Sequence, residues 1–74
     1  MTTAKLIHKA LEGVWSTDSE DLIERIRDEE FEVVDQDDRN DFPNWCAVKI
    51  NGLDEEFTIW FEKTGSTWYV SEVS

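Results

Sequence analysis

The sequence predicts an α+β domain in which two N-terminal helices pack on a small antiparallel sheet of three to four strands, an ααβ-βββ meander. Three observations carry this expectation. Residues 3 to about 15 place apolar side chains at helical spacing. Thr17-Asp18-Ser19-Glu20 has the form of a helix start before a second, shorter stripe. From Trp45 to Val73, three runs rich in aromatic and β-branched residues are separated by two glycine-bearing turns.

Taken in order, the first helix is expected over residues 3 to about 15. Ile7, Ala10, Leu11 and Val14 share one stripe, with Ala4 and Trp15 at its edge, and Lys5, Lys9 and Glu12 take the opposite side. Gly13 weakens the last turn and is a point where the helix can stop one turn early. The second helix is expected to begin at the Thr17–Glu20 capping box and to reach Glu29 or Glu30, with Asp18, Glu20 and Asp21 near the positive end of its dipole. Its stripe is only Leu22, Ile23 and Ile26, so packing has to hold it. Phe31-Glu32-Val33-Val34 is β-rich and reads as a further strand. Asp35 to Asn44 reads as a polar loop closed by Phe42-Pro43.

The register of the meander follows from side-chain pairing. A four-residue loop over Asn51 to Asp54 sets Val48 against Phe57, Cys46 against Ile59, Trp45 against Trp60 and Lys49 against Glu56, all favourable combinations. A tight Asn51-Gly52 turn would set Val48 against Glu55, so the longer loop is expected. At the second turn, a Thr64-Gly65 loop is expected to place Ile59 opposite Val70, Phe61 opposite Trp68 and Trp60 opposite Tyr69. One face then carries Cys46, Val48, Ile50, Phe57, Ile59, Phe61, Trp68 and Val70 as the core. The other carries Trp45, Trp60 and Tyr69 in one row across three strands.

The chain has 74 residues and a net charge of −11, with 18 acids against 7 lysines and arginines. A domain of this length buries only about 60% of its chain surface and is marginally stable. Its hydrophobic content is nevertheless enough for a core. A single cysteine excludes an internal disulfide and suits a reducing cytoplasm. The opening Met1-Thr2-Thr3-Ala4-Lys5 leads into an amphipathic segment, so no secretory signal and no membrane contact are expected. The charge is unevenly placed. From Asp18 to Asp41 there are twelve acids and three arginines, 3 − 12 = −9, and the remainder has six acids and four lysines, 4 − 6 = −2. Glu20, Glu24 and Asp28 form a like-charge column at i, i+4, i+8, which costs roughly 0.2–0.5 kcal/mol per adjacent pair. Such a column in a small domain calls for a reason beyond folding.

Catalytic and metal chemistry find little to work with. His8 lacks a nucleophile or further ligands and reads as a helix-surface histidine one turn from Glu12. Cys46 falls on the core face, where a thiol behaves as a small hydrophobe. Asp35-Gln36-Asp37-Asp38-Arg39-Asn40-Asp41 invites a calcium reading, but position 5 is Arg39, position 6 is Asn40 and position 12 is Cys46. No enzyme activity, metal site or cofactor is therefore expected. The aromatic row suits base stacking, yet a net charge of −11 repels phosphate, so direct nucleic-acid binding is excluded.

The acidic surface is the most informative feature. In charge, length and lack of catalytic residues the chain resembles the small acidic inhibitors that phages encode against nucleic-acid enzymes, the anti-restriction, anti-CRISPR and glycosylase-inhibitor kind. That resemblance implies an inhibitor that mimics nucleic-acid charge and occupies a basic surface of a target protein. Two other readings stand beside it: an acidic interaction or immunity-type module without mimicry, and a salt-adapted small cytoplasmic domain. The residues expected to meet a partner are Glu20, Asp21, Glu24, Asp28, Asp35, Asp37, Asp38 and Asp41, with Trp45, Trp60 and Tyr69. The chain is expected to act as a monomer or homodimer.

Overall fold

A computed structural model describes every residue except Met1, Glu30, Asn40, Asn51 and Leu53. Among the described residues the elements are α1 (Thr3–Ala10), β1 (Trp15–Ser16), α2 (Ser19–Asp28), β2 (Phe31–Gln36), β3 (Trp45–Ile50), β4 (Glu56–Thr64) and β5 (Thr67–Val73). The class is α+β, as expected. The sheet has five antiparallel strands in the order β1-β5-β4-β3-β2, one more than the largest number expected. The additional strand is the two-residue β1, which pairs Trp15 with Tyr69 and Ser16 with Trp68.

β1 exists because α1 stops early. Thr2 caps the helix, its Oγ1 accepting from the Lys5 amide at 3.3 Å, and Leu11 ends it. The expected stripe is only partly kept: Ala10, the last helical residue, is exposed, and beyond the helix Val14 is only half-buried and Trp15 leaves for the sheet. The helix stops short of Gly13, and the two-residue edge strand at Trp15 and Ser16 gives the released backbone partners on β5. The N-cap of α2 also differs by one residue. Asp18, not Thr17, caps the helix, its Oδ1 accepting from the Glu20 amide at 2.9 Å. That frees Asp21, at the third helical position, to accept a 2.6 Å hydrogen bond from Ser16 Oγ. α2 ends at Asp28, short of the expected Glu29 or Glu30, the latter lying outside the described residues.

The first hairpin has the expected register: Trp45 faces Trp60, Cys46 faces Ile59, Val48 faces Phe57 and Lys49 faces Glu56. Asn51 and Leu53 of its turn lie outside the described residues, as does Asn40 of the loop after β2. The second hairpin corrects the expectation. Its turn is Gly65-Ser66, not Thr64-Gly65, with Thr64 paired to Thr67 and Phe61 to Val70. Gly65 has φ 63. The favoured two-residue hairpin turns need a positive φ at their first position, which glycine adopts freely and β-branched threonine resists. The slip is two residues, so the side-chain faces are unchanged.

Two bulges then adjust the faces. Ser71 is skipped between the pairs Phe61–Val70 and Trp60–Glu72, which puts Val73 beside Ile59 on the core side and Glu72 outward. Val34 is skipped between Val33–Val48 and Asp35–Ala47, which keeps Asp35 from facing Cys46 in the core. The core joins Ile7 and Leu11 of α1 and Leu22, Ile23 and Ile26 of α2 to the expected sheet face of Cys46, Val48, Phe57, Ile59, Phe61, Trp68 and Val70. Ile50 is half-buried at its margin. Both helices thus lie on one side of the sheet.

Candidate interaction surface

The acids of α2 point away from the core because its buried stripe claims Ser19, Leu22, Ile23 and Ile26. Glu20, Asp21, Glu24 and Asp28 are all exposed. They are not a bare column. Arg25 Nε donates to Asp21 Oδ2 at 3.0 Å, and Arg27 Nη1 to Glu24 Oε1 at 2.6 Å. The Ser16 hydroxyl first, and then Arg25, hold the Asp21 carboxyl below its ordinary value of 3.8. These pairs sit in solvent, where such contacts contribute little and give way readily to another cation.

The loop after β2 divides its acids. Asp38 and Asp41 are exposed, but Asp37 is only 2% exposed. Its Oδ1 accepts from the Arg39 amide at 3.1 Å, with Arg39 Nε 3.8 Å away. Its Oδ2 accepts from the Asn44 amide at 3.2 Å and from Asn44 Nδ2 at 3.4 Å. Asp37 was expected to meet a partner, yet its carboxylate faces inward and ties the loop shut. Local backbone donors consume it, as Asx turns do. Asp35, also placed in the loop by the sequence, belongs to β2 and faces outward opposite Ala47.

The sheet face away from the helices carries the aromatic residues. Trp45 and Trp60 pair across β3 and β4 with ring centroids 6.4 Å apart and planes at 52°. Tyr69 does not continue that row. The Gly65-Ser66 turn and the Ser71 bulge set Glu72 opposite Trp60, while Tyr69 faces Glu62 on one side and Trp15 on the other. Its hydroxyl donates to Glu62 Oε2 at 3.0 Å. Trp15 is the residue that the expected helix concealed. Trp15 is exposed and Ser16 buried, the reverse of what their polarity suggests, so this strand had no signal in the sequence. This face is open, with Trp15 58% and Trp60 43% exposed. A row of Glu32, Lys49 and Glu56 lies further along it.

Among the described residues no group of three or more His, Cys, Asp or Glu is placed to hold a metal ion. No described helix is long and apolar enough to cross a membrane. A depression of about 320 Å³ beside Trp15 is lined by Gly13, Val14, Arg25, Asp28 and Glu29. His8 lies on α1 among Lys5, Lys9 and Glu12. Cys46 is fully buried, and burial pushes its thiol from 9.0 up to about 12. A group whose proton is held more tightly in the fold stabilises it below pH 9.0 and loses that contribution as pH rises towards 12. Stability is therefore expected to fall by about 1.4 kcal/mol per pH unit in this window through Cys46 alone. Urea titrations across alkaline pH check this: Cys46→Ala should flatten the slope, and an unchanged slope would show that the thiol does not contribute.

No family model, curated protein or solved structure matches this chain.

Proposed function

We propose that the chain is a non-enzymatic cytoplasmic binding protein that mimics nucleic-acid charge and occupies a basic nucleic-acid-binding surface of a target protein, in the manner of phage anti-restriction and anti-CRISPR inhibitors. The observation that carries this reading is the placement of charge. The segment from Asp18 to Asp41 holds twelve acids and three arginines. Glu20, Glu24 and Asp28 recur every four residues along the exposed face of α2, or about 6 Å of axis. One DNA strand presents a phosphate every 3.4 Å, so this spacing is close to that of every second phosphate. Asp38 and Asp41 of the loop after β2 are exposed as well. Such a field raises association rates 10–10³-fold and weakens with salt.

The test uses the intact chain as bait for a nucleic-acid-binding protein from a lysate of its source cells. Duplex DNA or RNA should displace the captured protein, and salt should slow association. The combined substitutions Glu20→Gln, Glu24→Gln, Asp38→Asn and Asp41→Asn should reduce the on-rate while leaving the fold intact, because all four side chains are exposed. If nucleic acid does not compete and the variant binds as well as the parent, mimicry is wrong. An acidic interaction or immunity-type module without mimicry is the second reading. It is favoured by the open aromatic face, which a charge mimic does not require.

A further inference from the structure

We propose that the open face of the sheet is a contact surface for arginine side chains of a cationic protein segment, with Trp60 and Trp45 as the stacking platform and Glu62 and Glu72 as the flanking carboxylates. This deepens the proposed function, resting on its reading that the partner is cationic, and assigns a second surface distinct from the charged face of α2.

Three observations lead to it. First, the face is uncovered: the helices occupy the other side, and Trp60 is 43% exposed beside Trp45. Second, the face is charged. Cross-strand pairing places Glu32, Asp35, Glu56, Glu62 and Glu72 on it against one cation, Lys49, a net of 1 − 5 = −4. Lys49 is itself 3.7 Å from Asp54. Third, the aromatic and acidic residues are interleaved in register. Trp60 lies between Trp45 and Glu72, and Glu62 lies beside Tyr69, whose hydroxyl holds one of its oxygens. The chain already makes such a contact on its other side, where Lys63 Nζ stands 5.9 Å from the Trp68 ring. Among the described residues no cation of the chain stands over Trp45 or Trp60.

Charge complementarity chooses the occupant. A second copy meeting this face through the same face would set its carboxylates against one another, and nucleic acid would be repelled outright. A purely apolar segment would strip water from carboxylates it cannot pair. A cation satisfies both components. Arginine does so better than lysine, because its planar guanidinium stacks on an indole while donating in a fork to a carboxylate.

The experiment titrates the purified chain with octa-arginine and octa-lysine peptides and follows tryptophan fluorescence, since Trp15, Trp45 and Trp60 share this face. Octa-arginine should give a saturable change at physiological salt, with octa-lysine at least about tenfold weaker, the size of a cation–π contribution of about 1.4 kcal/mol. Trp60→Ser and, separately, Glu62→Gln with Glu72→Gln should each weaken octa-arginine by about tenfold or more. The second variant keeps the test intact if circular dichroism shows that the first has unfolded. The combined Glu20, Glu24, Asp38 and Asp41 variant should bind octa-arginine within about threefold of the parent. Equal binding of the two peptides, no effect of the sheet substitutions, or an equal loss in the helix and loop variant overturns the proposal. Nucleic-acid competition at the captured target scores mimicry separately, so failure of mimicry leaves this result standing and failure here leaves mimicry standing.

Discussion

Replacing Ile59 by alanine is expected to destabilise the fold by roughly 2–5 kcal/mol, enough to unfold much of so small a domain. Ile59 is fully buried on β4, paired with Cys46 on one side and Val73 on the other. It touches the centre of the sheet core, where no mobile edge is available to collapse into the space left by three carbons. Phe61→Ala belongs to the same class, because Phe61 faces Val70 in the same buried layer. Urea denaturation followed by far-ultraviolet circular dichroism measures both. A loss below about 1 kcal/mol at both positions would contradict the inward facing of this strand.

Asp37→Ala is expected to cost on the order of 3 kcal/mol, from two charge-assisted hydrogen bonds to backbone amides at about 1.5–3 kcal/mol each, partly recovered when water reaches the freed groups. The substitution leaves the Arg39 and Asn44 amides without their carboxylate and removes the tie across the loop. The loop also carries Phe42, stacked 6.5 Å from Trp68, so its loosening should expose the edge of the core. Denaturation midpoints, together with quenching of Trp68 fluorescence in a variant lacking the other three tryptophans, check this. Asp38→Ala, at an exposed position one residue away, is the control and should change stability by less than about 0.5 kcal/mol. If the two alanine variants behave alike, the buried carboxylate does not hold the loop. The contrast also explains why the substitutions that probe charge alone leave Asp37 in place.

Much of this architecture is local in origin and was legible in the sequence. Alternation from Cys46 to Val70 determines which side chains share the core face, since neighbours in a strand point to opposite sides whatever their partners. Leu22, Ile23 and Ile26 determine the buried side of α2 by the same kind of reasoning at helical period. Pairing Val48 with Phe57 and Trp45 with Trp60 determines the first hairpin, and the distribution of acids along the chain is read directly. The Gly65-Ser66 turn is legible too, because its first position needs a positive φ, which Gly65 adopts freely and Thr64 resists.

The remainder needed the three-dimensional arrangement, because it depends on groups distant in sequence meeting one another. Once α1 has ended at Ala10, Trp15 and Ser16 find backbone partners at Tyr69 and Trp68, more than fifty residues away. The bulges at Val34 and Ser71 arise where strict pairing would have turned Asp35 and Glu72 onto the core face, a conflict that appears only when neighbouring strands are in place. Asp37 and Asp38 are alike in sequence, but only Asp37 meets the Asn44 amide when the loop closes, and so only it is buried. Composition and periodicity determined that one sheet face is apolar and one carries aromatics among acids. Tertiary packing decided that both helices cover the first, because burying Ile7, Leu11, Leu22 and Ile26 against it removes more apolar surface from water than the mixed face offers, and this leaves Trp15, Trp45 and Trp60 on the open side.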